Sequence, residues 1–400
     1  MTDLLFSGIQ SAPADPILGV SEKFKADPRA QKVNLSVGMY LTEEGKTPIL
    51  NVVKEAEAAL AANPVAHTYI PMSGLPGFDT VVQKMVFGAD SEVVRSGRAA
   101  TIQSLGGTGA LKVGMDFMHH IVGSSVAATS RPTWGNHNAL LAMAGYEVKG
   151  YRYYDAANDG IDFNGMVEDL KALPAKTLVI LHSCCHNPTG YDLSADQWKI
   201  IIELCQKGGL VPFLDMAYQG FREGLEQDAT AIRLFAASGM SFLVATSYSK
   251  SFNLYCERIG ALTVVTQSKE QAAIVLSQLK AVIRSNYSNP PAFGGRIVMH
   301  VLSDAKRFAL WEEELTGMRV RIKAMRKALA DELARIGCKR DFSFVTRQAG
   351  MFSFTGLTPE QVARLADEFG IYAVKNGRIC ICGLNTRNVE YVAKSIASVL

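Results

Sequence analysis

Lys250 closes the run Ser247-Tyr248-Ser249-Lys250, directly after the apolar stretch 241–246, and Arg258 follows eight positions later. A lysine held at a strand end in a half-buried pocket loses hydration, so its pKa falls and its amine becomes a nucleophile. A solvated surface lysine is the ordinary alternative. Asp215 ends the apolar run that begins at Leu210, with Tyr218 three residues on. A carboxylate there can hold a pyridinium nitrogen protonated, or simply cap the next helix.

Gly106-Gly107-Thr108-Gly109-Ala110-Leu111-Lys112 opens an apolar helical stretch through Val113, Phe117 and Met118. Small residues let backbone N–H groups close on a phosphate, and a helix N-terminus adds positive potential. Neither the Walker spacing nor Gly-x-Gly-x-x-Gly is present, so a nucleotide loop is disfavoured. His182-Ser183-Cys184-Cys185-His186-Asn187-Pro188-Thr189-Gly190 invites a metal reading. Adjacent cysteines on a strand point to opposite faces, and no second ligand pair stands at zinc-like spacing. Asn187, constrained by Pro188, can aim its amide at a ligand oxygen or merely form a tight turn. Arg284 and Arg378 can each grip a carboxylate bidentately, and two such sites suit a dicarboxylic substrate; a surface ion pair is the plainer reading of each.

These residues need a frame that gathers them. Apolar runs at 177–181, 210–214 and 241–246 alternate with helical spacing, as at Trp198, Ile201, Ile202, Leu204 and Cys205 within 195–207. This β-α-β-α-β order predicts an α/β fold with a mostly parallel sheet flanked by helices, and the polar clusters fall at the carboxyl ends of its strands. From about 303 to 336 the pattern becomes one long amphipathic helix leading to a smaller α+β unit. Strands are expected there over 341–354 and 377–384, with a helix over 358–369 between them, and residues before about 46 can pack with it. Pro13 and Pro16 suggest an extended N-terminal arm.

Four hundred residues can bury a site away from water. With 41 Lys+Arg against 38 Asp+Glu, the net charge of +3 disfavours nucleic-acid binding. No apolar run reaches membrane-spanning length and the first residues do not read as a signal peptide, so a cytoplasmic protein is the simplest expectation. Seven cysteines argue against a disulfide framework.

Together, Ser-Tyr-Ser-Lys with its Arg, Cys-His-Asn-Pro-Thr-Gly, Asp-Met-Ala-Tyr-Gln-Gly, Gly-Gly-Thr-Gly-Ala and Asn-Tyr-Ser-Asn-Pro-Pro resemble the aspartate and aromatic-amino-acid (tyrosine) aminotransferases of fold type I, almost from end to end. The resemblance implies pyridoxal 5′-phosphate (PLP) as cofactor, with Lys250 its Schiff-base lysine and the acid/base at Cα. It implies that Asp215 pairs with the pyridine nitrogen, supported by His182, that Asn187 and Tyr218 bond the phenolic oxygen, and that Trp134 stacks on the ring. Gly107, Thr108, Ser247 and Arg258 then hold the phosphate, joined by Tyr69 of a neighbouring subunit. Gly38 and Arg378 meet the α-carboxylate, and Arg284 of the neighbour meets a side-chain carboxylate, so the site is shared across a homodimer. The implied division is an arm (1–14), a small domain (15–46 and 315–400) and a large PLP-binding domain (47–314).

Met39 and Leu41, apolar near the site mouth, favour aromatic substrates, whereas Arg284 retains a dicarboxylate contact. The expectation is therefore an enzyme using tyrosine or phenylalanine, aspartate, or both against 2-oxoglutarate. The alternatives are an aspartate aminotransferase with little aromatic activity and, from another class, a non-catalytic metal-binding protein built around residues 182–186.

Overall fold

A computed structural model describes residues 5–12 and 17–400; residues 1–4 and 13–16, with Pro13, Pro16 and part of the expected arm, lie outside it. The central sheet has seven strands in the order Ala99–Leu105, Ile259–Val265, Phe242–Ser247, Val211–Met216, Leu178–His182, Val126–Arg131 and Glu147–Arg152. Only Ile259–Val265 runs antiparallel to its neighbours. Leu178–His182 is buried along its whole length and Phe242–Ser247 nearly so, as strands covered on both faces by helices must be.

The helices are closed by local chemistry. Ala195–Gly208 starts with a reciprocal cap between Ser194 and Gln197 and stops at left-handed Gly209. Such caps pin where each strand resumes. Ala305–Arg335 begins where Asp304 accepts the Arg307 N–H, and it buries Trp311, Leu315, Met318, Ile322, Leu329 and Leu333 on one stripe. Each such side chain contributes roughly 1.5–3 kcal/mol on burial. Leu329→Ala in mid-stripe should therefore cost about 2–5 kcal/mol.

The smaller α+β unit pairs Phe352–Phe354 with Arg378–Cys380 antiparallel, and Val33–Asn34 with Ile371–Tyr372 parallel. Val33–Asn34 thus adds a strand to it. The strand expected over 341–354 is largely absent. Asp341 accepts the Ser343 N–H and hydroxyl, Thr346 donates to the Ser343 carbonyl, and Ser343–Arg347 is a 3-10 turn. Short polar side chains bonding nearby backbone displace the ladder there, although Phe342 and Phe344 are buried as a strand would bury them.

Candidate active site

Strand register brings the polar clusters together. His182 lies opposite Asp215, and Asp215 opposite Ala245, so the ends of three adjacent parallel strands open into one cavity. Its wall includes Gly107, Thr108, Trp134, His182, Asn187, Asp215, Tyr218, Ser247, Lys250 and Arg258. A larger groove of about 950 Å³ between residues 77–91 and 299–308 contains none of them.

The Lys250 amine lies 5.5 Å from the centre of the Tyr218 ring. Loss of hydration brings its pKa down to about 8; Asp215 works against this, and Arg258 and Arg378 reinforce it. Near neutrality an appreciable share of this amine is therefore a free base. Asp215 is buried, which alone would raise its carboxyl. The bond from His137 Nε2 to Oδ2 at 3.0 Å, with the positive Lys250 nearby, outweighs burial and keeps it below the usual range. His137 in turn has Thr133 Oγ1 at 2.9 Å from Nδ1.

His137 is the residue that reading the sequence missed. The direct partner of Asp215 is His137, whereas His182 packs against the His137 ring at 5.0 Å and makes no hydrogen bond through Nε2. Burial brings the His182 pKa to about 3, so that ring is neutral. The available signal was position: His137 is one helical turn beyond Trp134, and their rings meet edge to face at 5.3 Å.

Opposite the lysine is a cradle built from absent side chains. Gly106 has φ +68°, and a Cβ there would stand 2.8 Å from Arg258 Nη2; one on Gly107 would stand 3.2 Å from Ser247 Cβ. The helix Gly106–Asp116 starts at this point, so N–H groups, the Ser247 hydroxyl and the Arg258 guanidinium face one space suited to an anion.

Arg378 borders an adjoining cavity that shares Trp134 and Asn187. It is 4% exposed, stacks 4.1 Å from the Phe352 ring centre, and donates to Asn187 Oδ1 (3.2 Å) and the Ser36 carbonyl (2.6 Å). Its Nε has no partner, and a buried guanidinium N–H left so is costly unless a ligand takes it. Gly38 keeps this corner open, because a Cβ there would stand 2.6 Å from Phe352 Cζ. Asp192 accepts the N–H groups of Cys185 and His186 at 2.8 and 2.9 Å, fixing the turn that presents Asn187.

Tyr69 and Arg284 stand apart. Tyr69 is 94% exposed, and Arg284, also exposed in the last turn of the helix Lys269–Asn286, donates to Ser288 just beyond it. Two buried groups bring together side chains that could hold a metal: His137, His182 and Asp215, and Cys184, Cys185 and Asp228. Asp228, beside Cys184 and Cys185, already accepts the N–H groups of Gly220, Arg222 and Glu223, and burial pushes the Cys185 thiol well above its usual pKa.

Residues 30–396 match the family model for aminotransferases of class I and II. The chain is 53% identical to an aspartate aminotransferase of Pseudomonas aeruginosa and 49% identical to an aromatic-amino-acid aminotransferase of Escherichia coli, with 99% of this chain and 100% of each relative covered. The solved aromatic-amino-acid aminotransferase of Burkholderia pseudomallei, covalently bound to pyridoxal phosphate, superposes with a TM-score of 0.97 at 52% identity over 99% of both chains. A buried amine, a buried carboxylate and an anion cradle at the ends of a mostly parallel sheet are what such an enzyme needs, and the chain belongs to the class I and II aminotransferases.

Proposed function

We propose that this enzyme moves the α-amino group of an aromatic L-amino acid, of aspartate, or of both to 2-oxoglutarate, with pyridoxal phosphate held covalently on Lys250. The observation that carries the reading is one cavity in which a low-pKa amine, a buried carboxylate and a glycine-built anion cradle converge. Pyridoxal phosphate answers all three, with an aldehyde, a ring nitrogen and a phosphate. When bound, its ring draws electrons from the substrate Cα and makes the proton there removable.

Asp215, kept ionised by His137, would hold the ring nitrogen protonated. Gly107, Thr108, Ser247 and Arg258 would hold the phosphate, Asn187 and Tyr218 would bond the phenolic oxygen, and Trp134 would pack against the ring. Arg378, with its unpartnered Nε and the open corner at Gly38, binds the α-carboxylate and turns Cα toward Lys250. Once a substrate amine has replaced it on the cofactor, the freed Lys250 Nζ, neutral often enough with a pKa of about 8, would take up the Cα proton at close range and return it in the reverse half of the cycle.

Tyr69 and Arg284 complete the site of a second copy, Tyr69 at the phosphate and Arg284 at a substrate side-chain carboxylate. Their exposure supports this, as does that of Leu5, Phe6 and Ile9 in the arm. The arm is residues 1–14, the small domain 15–46 with 315–400, and the large domain 47–314. No helix among the described residues is long and apolar enough to cross a membrane, and the cytoplasm is the proposed location.

Half-buried Met39 and Leu41 favour an aromatic side chain, and Arg284 a carboxylate, so a dual-substrate enzyme reconciles them. The Pseudomonas relative's name favours the aspartate-leaning alternative. Steady-state rates with tyrosine, phenylalanine and aspartate against 2-oxoglutarate separate the two. Turnover of both kinds is expected; none with either aromatic acid leaves the aspartate enzyme, and none with any of the three ends the proposal.

A further inference from the structure

Gln103 is fully buried on the edge strand Ala99–Leu105, whose only paired neighbour is Ile259–Val265. On the free edge its backbone N–H donates to the Ser73 carbonyl at 2.9 Å. Its side-chain Oε1 accepts the Leu75 N–H at 3.1 Å, and its Nε2 donates to the Pro291 carbonyl at 2.7 Å. One amide therefore holds two segments far apart in sequence, the first four to six residues past Tyr69 and the second seven past Arg284. Asn289 links the same segments a second time, donating to the Ile70 carbonyl at 3.2 Å.

Room for this arrangement is built in. Gly74 has φ +106° and a Cβ there would fall 2.3 Å from Gln103 Cβ, while one on Gly295 would fall 2.9 Å from its Nε2. A side chain at either glycine would push the amide off its partners. Tyr69 in its loop and Arg284 in the last turn of the helix Lys269–Asn286, where it donates to Ser288, both face solvent, so this framework positions groups that a target outside the chain can reach.

We infer that Gln103 is a positioning residue acting across the dimer, setting from one subunit the Tyr69 loop and the helix end carrying Arg284, which finish the site of the other. The inference rests on the proposal that those two residues cross to a neighbour. A buried amide that merely satisfied two turns would affect its own chain's stability. A positioning amide affects the neighbour's substrate affinity.

The test uses Gln103→Met, which keeps the volume and removes both side-chain bonds. In the homodimer, KM for aspartate should rise about tenfold, the scale of a lost buried hydrogen bond, with kcat within about twofold. PLP, followed by its absorbance at equilibrium, should dissociate at a concentration a few-fold higher. Hybrid dimers then locate the effect. In each, one chain carries Lys250→Ala, so only the other chain's site turns over. With Gln103→Met on the Lys250→Ala chain, the working site should show the raised KM; with it on the chain that keeps its lysine, KM should be native.

A second variant guards against misfolding. The carboxyl of Gln103→Glu can accept from Leu75 and, only when protonated, donate to Pro291, so its aspartate KM relative to native should climb with pH. A native KM in every arrangement, or a defect that follows the lysine-bearing chain, overturns the inference. The same hybrids with Arg284→Ala in place of Gln103→Met test the underlying reading by themselves. If Arg284→Ala acts in trans while Gln103→Met does nothing, only the role of Gln103 falls.

Discussion

The floor of the cavity and its rim are built to different standards of completeness. On the floor, the polar groups largely answer one another within one chain: Asp215 is met by His137, His137 by Thr133, and the Asn187 turn by Asp192. On the rim, Tyr69 stands in solvent, and Arg258 and Arg284 are exposed, bonded to Tyr255 and Ser288 a few residues away. Strand ends can finish a floor because register places them to within a residue. A rim made of loops at a sheet edge is finished by whatever docks against it, so the floor should govern the chemistry and the rim the choice and retention of ligands.

The sharpest way to break that division is at Lys250. Lys250→Ala removes the proposed base at Cα, and turnover should fall at least about 10⁴-fold, the upper range for a positioned acid/base. The cradle at Gly107 and Arg258 is untouched, so the variant should still retain PLP by equilibrium dialysis. Substantial residual turnover, or complete loss of cofactor binding, would mean that the floor does not separate chemistry from anchoring.

Arg284→Ala attacks the rim. Taking away the partner of a desolvated carboxylate costs roughly 2–5 kcal/mol, so kcat/KM for aspartate should drop by at least about thirtyfold. Tyrosine, lacking that carboxylate, should lose far less. Equal losses for both would place Arg284 in general architecture and erase the contrast between rim and floor.

The floor was also the more legible half in the sequence. Lys250, Asp215 and Asn187 end apolar runs whose α/β alternation is visible without coordinates, so the cluster could be inferred before the cavity was seen. His137 escaped because it sits inside the short helix Gly135–Met143, in a Gly-Asn-His-Asn stretch with no periodic or motif signal. Its importance arises only when a strand two places away delivers Asp215 to it. Residues 341–354 were expected as a strand for the opposite reason: Phe342 and Phe344 are buried as strand residues would be, but Asp341, Ser343 and Thr346 fold the segment into a turn. Motif spacing reports what a strand end offers. It does not report which helix face arrives opposite.

His137 allows a finer cut within the floor. Burial pushes the Asp215 carboxyl up, and the His137 bond leads the influences that together pull it down, so His137→Leu removes the main opposition to burial. The folded-state pKa of Asp215 should then rise, and its ionised form should be lost at higher pH than in the native enzyme. The acid limb of the kcat/KM profile should accordingly move to higher pH, with about tenfold less activity at the acid end and a smaller loss at the alkaline end. A uniform loss across the profile would assign His137 to packing instead.

The smallest expected effect belongs to the rim. Tyr69→Phe keeps the ring and removes one hydroxyl, which the proposal places on the phosphate in the neighbouring subunit. A single hydrogen bond to a charged acceptor is worth roughly 1.5–3 kcal/mol, and in a cradle already supplied by Ser247, Arg258 and backbone N–H groups the lower end applies. The cofactor dissociation constant should therefore rise by about tenfold, while kcat at saturating PLP stays close to native, because no proton moves through Tyr69. Titrating cofactor into the apoenzyme and measuring kcat on the same preparation distinguishes the two quantities. A fall in kcat with unchanged cofactor affinity would move Tyr69 from anchoring to chemistry and make the rim part of the floor.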